Sequence, residues 1–454
     1  MSRNILICDA NHGGLVLLDE YSKYTSNNLF FYDIYAKLSD EEKRDYSNKY
    51  DVTFLANEDI EDKNYINDNF ISIAPVHMNP IINKDYTHHE FTSYLVNKHR
   101  QRHSWNFKII QVTGVKAKTT VSSMIRDILN DYNILLLNST ELSYNSNNEK
   151  KVLADNLSIT PASIITALNI AMENELLDKV DYFICEVSLG VIPHESIGVL
   201  TNIIEDYPIA NNTFNASSAK ASVFTCDEVI CQKESFDKFY DNEDRKVMKI
   251  SLYDEDSFLY VKNLKLDVSN TSFTICHDNK EYDVTCFALT DYYVLNILFA
   301  VGVGLLCNMT MEEAISKISD IGSINGRTSY KRIGEKIIIE EINPGLNTSS
   351  IKKSIDNIKA LDENFNIILG GDYGITCEEI DESKLTDYLR LLDKRVVLTG
   401  QLGHNLKRQL SSDNFTYSSS LNITLQNMLK DENTNIIMVI YRSEYAKKVK
   451  LDII

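Results

Sequence analysis

The stretch VTGVKAKTT, Val112–Thr120, carries the residue types of a phosphate-binding loop. Ile109, Ile110 and Val112 predict a buried strand before it, and Val121, Met124, Ile125, Ile128 and Leu129 recur at helical spacing after it. Strand, loop and helix in that order turn the loop amides and the first amides of the helix onto one anion. In such a loop Thr113, Gly114, Val115, Lys116, Ala117, Lys118, Thr119 and Thr120 would surround the phosphates of a nucleotide. Lys118 would neutralise the β- and γ-phosphates, and Thr119 would hold Mg²⁺. The loop from Gly114 is one residue shorter than the general G-x-x-x-x-G-K-[ST] form, and Ala117 stands in place of its second glycine. If that position needs a positive φ, alanine costs about 1 kcal/mol, which is small beside the energy of holding a triphosphate with magnesium. The competing reading is a Lys-Thr helix start that caps itself and binds nothing.

Other polar groups stand at the ends of apolar segments. Glu186 and Ser188 close VDYFICEVS, Lys220 sits in SSAKASVF, Asn296 interrupts VLNILFAVGVGLLC, and Arg327 lies in NGRTS. Taken singly, each has an ordinary explanation: a strand-end carboxylate in water, a solvated helix lysine, an amide satisfying backbone groups. His12, Gly13 and Gly14 in DANHGG, His77 in APVH, and His88 and His89 in THHEF fall near expected strand ends or short loops. Such places bind ligands in parallel sheets, although exposed or capping histidines are equally ordinary.

The elements that must position these groups fall into three blocks. Residues 1–105 alternate strands (NILICD, LFFYDIY, DVTFLA, FISIAP) with helices (GGLVLLDEYSKY, EEKRDYSNKY), which predicts a small parallel α/β unit. Residues 106–325 open with the phosphate-loop strand and continue through VDYFICEVS and IGVLTNI. A stretch reading as antiparallel strands follows, from Ser257 to Leu289, and a helix pair near 292–320 closes the block. Residues 326–454 alternate again through EKIIIEEI, FNIILGG, RVVLTG and NIIMVIY, a second doubly wound α/β domain. No internal repeat at a fixed short period and no low-complexity linker is visible.

The 454 residues suffice for roughly two to four domains, and 43% hydrophobic content supports real cores. A net charge of −19 and a pI of about 5.0 argue against nucleic acid or an anionic membrane as the main partner. The eight cysteines show no zinc-site spacing, which predicts reduced, mostly buried thiols in a cytoplasmic protein. MSRNILICDANHGG lacks the pattern of a signal peptide. The apolar run Val294–Cys307 is too short to span a membrane and predicts a buried helix.

The short loop is also a family form. T-G-x-x-G-K-[ST]-[ST] is the version used by Mur ligases, and Thr113–Thr120 matches it except at Ala117. CEVS, IGVLTNIIEDY, SSAKASVF, YYVLN and NGRTS follow in that family's order over residues 106–454. Tyr207 stands where the family usually has histidine, and Tyr293 where it has the first asparagine of an H-N-x-x-N segment. The resemblance implies a three-domain architecture: an N-terminal α/β substrate domain, a central P-loop ATPase-type α/β domain with added antiparallel strands, and a C-terminal Rossmann-like α/β domain. It implies ATP and Mg²⁺ as cofactors, with Glu186 and Lys220 joining Thr119 at the metal, Lys220 as a carbamate, Asn296 at the adenine and Arg327 at the phosphates. Lys118, Glu186, Lys220 and Arg327 would be the catalytic groups.

CDANHGG, APVHMNP, THHEF, EVSLGV and EINPGLN extend the likeness over the whole chain to the F-430 synthase branch of that family, from methanogenic archaea. That branch implies a nickel tetrapyrrole substrate, nickel seco-F-430. A propionate of it would be activated as an acyl phosphate and closed onto the macrocycle through a carbon–carbon bond. His12, His77, His88 and His89 could then meet substrate carboxylates or nickel, or serve as a base. The cationic run KHRQRH, with Lys98, Arg100 and Arg102, is a candidate landing site for the polyacid, against the ordinary reading of a solvated helix face. The alternatives are a Mur-type ligase joining an amino acid to a carboxylated precursor, and a nucleotide-dependent scaffold whose active site has decayed.

Overall fold

A computed structural model describes residues 4–78, 84–155, 157–209, 212–268, 270–321, 328–343, 346–373, 380–431 and 434–443. The chain divides into two compact units: Met1–Val261 with Cys276–Lys280 and Leu295–Asp320, and Lys262–Ile275 with Glu281–Val294 and Ile321–Ile454.

The first unit opens with a five-stranded, all-parallel sheet. Its strands are β1 (Asn4–Cys8), β2 (Asn28–Tyr32), β3 (Val52–Phe54), β4 (Phe70–Ala74) and β5 (Tyr86–Thr87), in the order β3-β2-β1-β4-β5. Ile5, Leu6, Ile7 and Cys8 are all buried, the continuous apolar run expected of a central parallel strand covered on both faces. From β1 the strand order runs one way to β2 and the other way to β4. The loops after β1 and β4 therefore leave a crevice at the carboxyl edge, and DANHGG and APVH are those loops. Helix His88–His103 starts beside them. Its Thr87 cap accepts from the Glu90 amide, while the Glu90 carboxylate accepts from the Thr87 amide.

The second sheet of this unit contains β6 (Lys108–Thr113), β7 (Ile134–Leu137), β8 (Glu141–Ser146), β9 (Glu149–Asp155), β10 (Tyr182–Glu186) and β11 (Ser196–Leu200). After the short pair β12 (Pro208–Ile209) and β13 (Phe214–Asn215), β14 (Glu228–Gln232) and β15 (Met248–Ile250) complete it. The order is β15-β14-β11-β6-β10-β7-β8-β9, parallel except for the β7-β8-β9 hairpins. The added antiparallel pair β8-β9 turns at Asn147–Asn148, both at positive φ (51° and 62°), as a tight two-residue hairpin requires. Sequence periodicity did not predict this pair, whose strands are half polar. β6 lies between β10 and β11, so Glu186 and the Thr201–Asn202 segment flank the loop that leaves β6. Helix Asp291–Leu306 contains the apolar run, with Val294, Ile297, Leu298, Phe299 and Val301 buried as expected.

The second unit carries a three-stranded sheet, β16 (Tyr260–Lys265), β17 (Thr271–His277) and β18 (Lys280–Cys286), most of whose residues belong to it. It also carries a six-stranded sheet of β19 (Ser329–Ile333), β20 (Lys336–Ile342), β21 (Phe365–Gly371), β22 (Val396–Thr399), β23 (Phe415–Ser418) and β24 (Ile436–Arg442). The larger sheet runs β19-β20-β24-β21-β22-β23, parallel apart from β19, with Ile339, Ile355, Ile367, Leu385 and Leu402 in its core. This is the doubly wound α/β fold that the alternation predicts. The seven described cysteines are free thiols, all buried except the half-buried Cys286; Cys377 lies outside the described residues. Among the described residues no helix is long and apolar enough to cross a membrane.

Candidate active site

The loop after β6 adopts the form its sequence suggests. Ala117 sits at φ 68°, ψ 1°, as the N-cap of helix Lys118–Ile128, so the missing glycine does occupy a left-handed position. Gly114 lies at φ 143°, and a Cβ there would fall 2.0 Å from Thr201 Oγ1; this position is closed to any side chain. Thr201 and Asn202 brace the loop. Thr201 Oγ1 and Asn202 Nδ2 donate to the Lys116 carbonyl at 2.6 and 3.2 Å. The Val115 amide donates to the Asn202 carbonyl at 2.9 Å, and the Lys116 amide to Asn202 Oδ1 at 3.1 Å. Each such bond contributes about 1 kcal/mol net, so the set outweighs the roughly 1 kcal/mol of a left-handed alanine. Behind the loop, Val121, Met124, Ile125 and Ile128 are fully buried and fix the helix on the sheet.

The hydroxyl of Thr119 donates to Glu186 Oε2 at 2.8 Å, and the Ser139 amide donates to the same oxygen at 3.0 Å. Ser139 Oγ is 2.9 Å from Thr119 Oγ1, and Lys118 Nζ is 3.9 Å from Glu186 Oε1. Thr119 and Glu186 are both buried. Glu186 is therefore no strand-end carboxylate in water. An all-oxygen donor set beside a lysine suits Mg²⁺ and the phosphates that accompany it. No residue pattern in NSTE marks Ser139. Its signal is topological, since it follows β7, the neighbour of β10.

Lys220 is 1% exposed at the end of the short helix Ala216–Lys220 and forms no hydrogen bond or ion pair among the described residues. Burial first, and then the charge of Lys118, pull its pKa down to about 7. This excludes the solvated helix lysine. An amine that is partly neutral near pH 7 can add carbon dioxide and become a carbamate. The helix that holds it is pinned by Asp206, which accepts from both the amide and the hydroxyl of Ser217 at 2.7 and 2.8 Å.

The histidines separate by role. His88 is buried, its ring nitrogens 3.0 Å from the Cys8 carbonyl and 3.3 Å from the His12 carbonyl, and burial lowers its pKa to about 3. It ties the helix start to the end of β1. His89, with Nε2 3.3 Å from the Ser188 carbonyl, is lowered to about 4, chiefly by burial and further by Lys220. His12 and His77 both turn toward the Asp9 carboxylate. Gly13 and Gly14 are packing glycines: a Cβ on Gly13 would meet Ala162 Cβ at 2.5 Å, and one on Gly14 the Asp9 carbonyl at 2.4 Å.

The cationic run lies at the other end of helix His88–His103, about 21 Å of helix from His88 to Arg102 at 1.5 Å per residue. Arg100 pairs with Glu195 at 3.4 Å and lies over Trp105, while Lys98 and Arg102 lie over Tyr94 and Tyr24. The structure does not bring these cations to the histidine loops. Asn296 is half-buried, with no side-chain hydrogen bond among the described residues. Arg327 lies outside the described residues.

Solved structures share this architecture. MurF from Acinetobacter baumannii superposes with a TM-score of 0.59 at 14% identity, covering 84% of each chain. MurF from Thermotoga maritima in complex with ADP gives 0.55 at 13% identity, covering 98% of this chain and 95% of that one. The fold is that of the Mur ligases. A family model described as "Coenzyme F430 synthetase CfbE, C-terminal domain" matches residues 330–444. Coenzyme F(430) synthetase of Methanocaldococcus jannaschii is 32% identical over 421 residues, covering 90% of this chain and 93% of that protein. The Methanosarcina acetivorans protein of the same name is 23% identical, covering 93% and 95%. The chain belongs to the coenzyme F430 synthetase family, and it is an ATP-dependent ligase.

Proposed function

We propose that this ligase closes the final carbocyclic ring of coenzyme F-430. A propionate carboxylate of nickel seco-F-430 attacks the γ-phosphate of ATP, giving an acyl phosphate and ADP. A ring carbon, on losing its proton, then attacks the acyl carbon; a carbon–carbon bond forms, the acyl–oxygen bond breaks, and phosphate leaves. Within this reading the domains divide at 1–105 for the substrate, 106–325 for ATP and 326–454 as the C-terminal Rossmann-like domain.

The protein's part is positioning and charge neutralisation. Lys118 neutralises the phosphoryl group in transfer, and the resemblance alone assigns Arg327 to the phosphates. Thr119 and Glu186 would hold Mg²⁺, which would supply charge neutralisation to the phosphates. Lys220, carbamoylated, offers a carboxylate where a bare ammonium would repel the metal. Asn296 meets the adenine. The observation that carries the reading is the meeting of Lys118, Thr119 and Glu186 at one sheet edge, with the buried Lys220, unpaired among the described residues, within reach of the Lys118 charge.

The test is incubation with ATP, Mg²⁺ and nickel seco-F-430, following the tetrapyrrole absorbance and ADP together. Equal amounts of ADP and ring-closed product are expected, and none from Lys118→Ala. ADP release stimulated by an amino acid rather than by the tetrapyrrole would instead establish an amide-forming ligase.

A further inference from the structure

At the crevice of the first sheet, Asp9 leaves the end of β1, His12 follows in the same loop, and His77 comes from the loop after β4. Asp9 Oδ2 is 2.5 Å from His12 Nδ1 and 3.7 Å from His77 Nε2, and the two ring nitrogens are 3.2 Å apart. Hydrogen bonding satisfies this trio poorly. A single proton on His12 Nδ1 can point at the carboxylate or at His77, not both, and His77 is too far from Asp9 for a bond of its own. One cation at the centre of the three atoms would satisfy all of them. Ligands about 2.1 Å from a zinc-class ion stand roughly 3.0–3.4 Å apart, a range that the three separations of 2.5, 3.2 and 3.7 Å bracket.

The surroundings are arranged in the same sense. Asp9 is fully buried, and its other oxygen accepts the Asn11 amide at 2.8 Å, leaving Oδ2 to the imidazoles. Asp9 is held at φ 77°, a strained conformation for a residue with a side chain. No lysine or arginine pairs with it among the described residues. His12 and His77 remain partly exposed, and they open on a small cleft lined also by Pro75, His89, Thr160 and Ser188. Ser188 stands two residues beyond Glu186, on the segment that leaves β10.

We infer that Asp9, His12 and His77 form a binding site for one divalent transition-metal ion, with open coordination positions facing this cleft. Two imidazoles and a carboxylate suit zinc, cobalt, iron or nickel(II) ions better than magnesium. A three-ligand set leaves room for an exogenous ligand, and the ligand chemistry that fits is a carboxylate. This last point rests on the polyacid substrate proposed above; the metal site itself does not. The ion is distinct from the nickel of a tetrapyrrole, which its macrocycle already encircles and to which three converging atoms could offer only one axial ligand from their side.

The experiment is a titration of the full-length, metal-stripped protein with Co²⁺ in the absence of nucleotide, read by visible absorption and by metal analysis after dialysis. About one Co²⁺ per chain is expected, with the visible bands of a nitrogen- and oxygen-ligated site. Asp9→Asn and His77→Ala, each checked for folding by circular dichroism, should weaken binding by at least about 10–100-fold, the loss that even an outer-shell partner brings. Propionate should then shift the cobalt bands of the wild type. Retention of full Co²⁺ binding by the His12→Ala/His77→Ala double variant, or absence of binding in the wild type, would overturn the site. Bands unmoved by propionate would overturn the open carboxylate position. Neither readout requires turnover, so failure here is distinguishable from failure of the ring-closure reading.

Discussion

The phosphate loop and the Asp9–His12–His77 trio occupy the same kind of place, the carboxyl edge of a parallel sheet beside its central strand, and they are built in opposite ways. The loop is contiguous. Gly114 to Thr119 carry its shape and charge, and neighbouring strands contribute the brace and the carboxylate. The trio is assembled from two loops 65 residues apart, with no motif spacing, and its geometry exists only once β1 and β4 are paired. A local site tolerates an unfavourable residue such as Ala117, because surrounding hydrogen bonds outweigh a small conformational cost. A dispersed site depends on the register of the sheet that carries it.

The sharpest way to break the comparison is at the lysine. Lys118→Ala should lower kcat/KM by about 10³-fold or more, as removal of a charge from phosphoryl transfer does, with circular dichroism unchanged. Activity within tenfold of wild type would deny the loop its role.

Lys220 comes next, with effects of opposite sign on activity and stability. Lys220→Met should remove turnover by about 10²-fold and raise the melting temperature, by about 2–4 °C per kcal/mol released. The folded pKa of about 7 lies below the ordinary 10.5. The unfolded chain therefore binds this proton more tightly, and the cost of burial is fully present below pH 7. That cost is relieved as pH rises from about 7 toward 10.5, so in carbon-dioxide-free buffer, where the amine is unmodified, wild-type stability should climb over this window and the variant's should climb less. Bicarbonate labelled with ¹³C should give a carbamate NMR signal that Lys220→Met lacks.

The brace should matter less. Thr201→Val removes the hydroxyl's donated bond to the Lys116 carbonyl and should weaken ATP binding about fivefold in calorimetry, at about 1 kcal/mol for the bond. On the histidine side, His88 and His89 have folded pKa values of about 3 and 4, below the ordinary 6.5. Both remain neutral in the fold where the unfolded chain takes up protons, so stability is retained above pH 6.5 and lost as pH falls from there toward 4. His89→Gln should flatten part of that loss in a series of thermal melts. The smallest effect belongs to Ala117→Gly, which relieves the left-handed alanine and should tighten ATP binding no more than a few-fold. A large gain would mean that the brace does not hold the loop as described.

What could be seen in the sequence follows the same division. Central strands of the three larger sheets were legible because buried parallel strands are largely continuous apolar runs, as in NILIC, KIIQVT and FNIILGG. The β8-β9 pair was not, because ELSYNS and EKKVLAD mix polar and apolar residues on a half-exposed sheet edge. At the site, Lys118 and Thr119 were legible from spacing alone. Ser139 was not, because it contributes a backbone amide as well as a hydroxyl, and amides leave no mark in a sequence. The histidines were visible as a group, but not their sorting: His88 and His89 are drawn inward by the capped helix start, while Asp9, whose carboxylate organises His12 and His77, lies within CDANHGG without a flag of its own. The cationic run looked like a landing site and proved to lie along a helix end, against aromatic rings.

The central claim is that the loop around Lys118 serves to turn a substrate carboxylate into an acyl phosphate. It is tested most directly with nickel seco-F-430 labelled with ¹⁸O in its propionate carboxylates, turned over with unlabelled ATP and Mg²⁺. Inorganic phosphate carrying one ¹⁸O atom for each ring closed is the predicted result; ring closure that releases only unlabelled phosphate would contradict it.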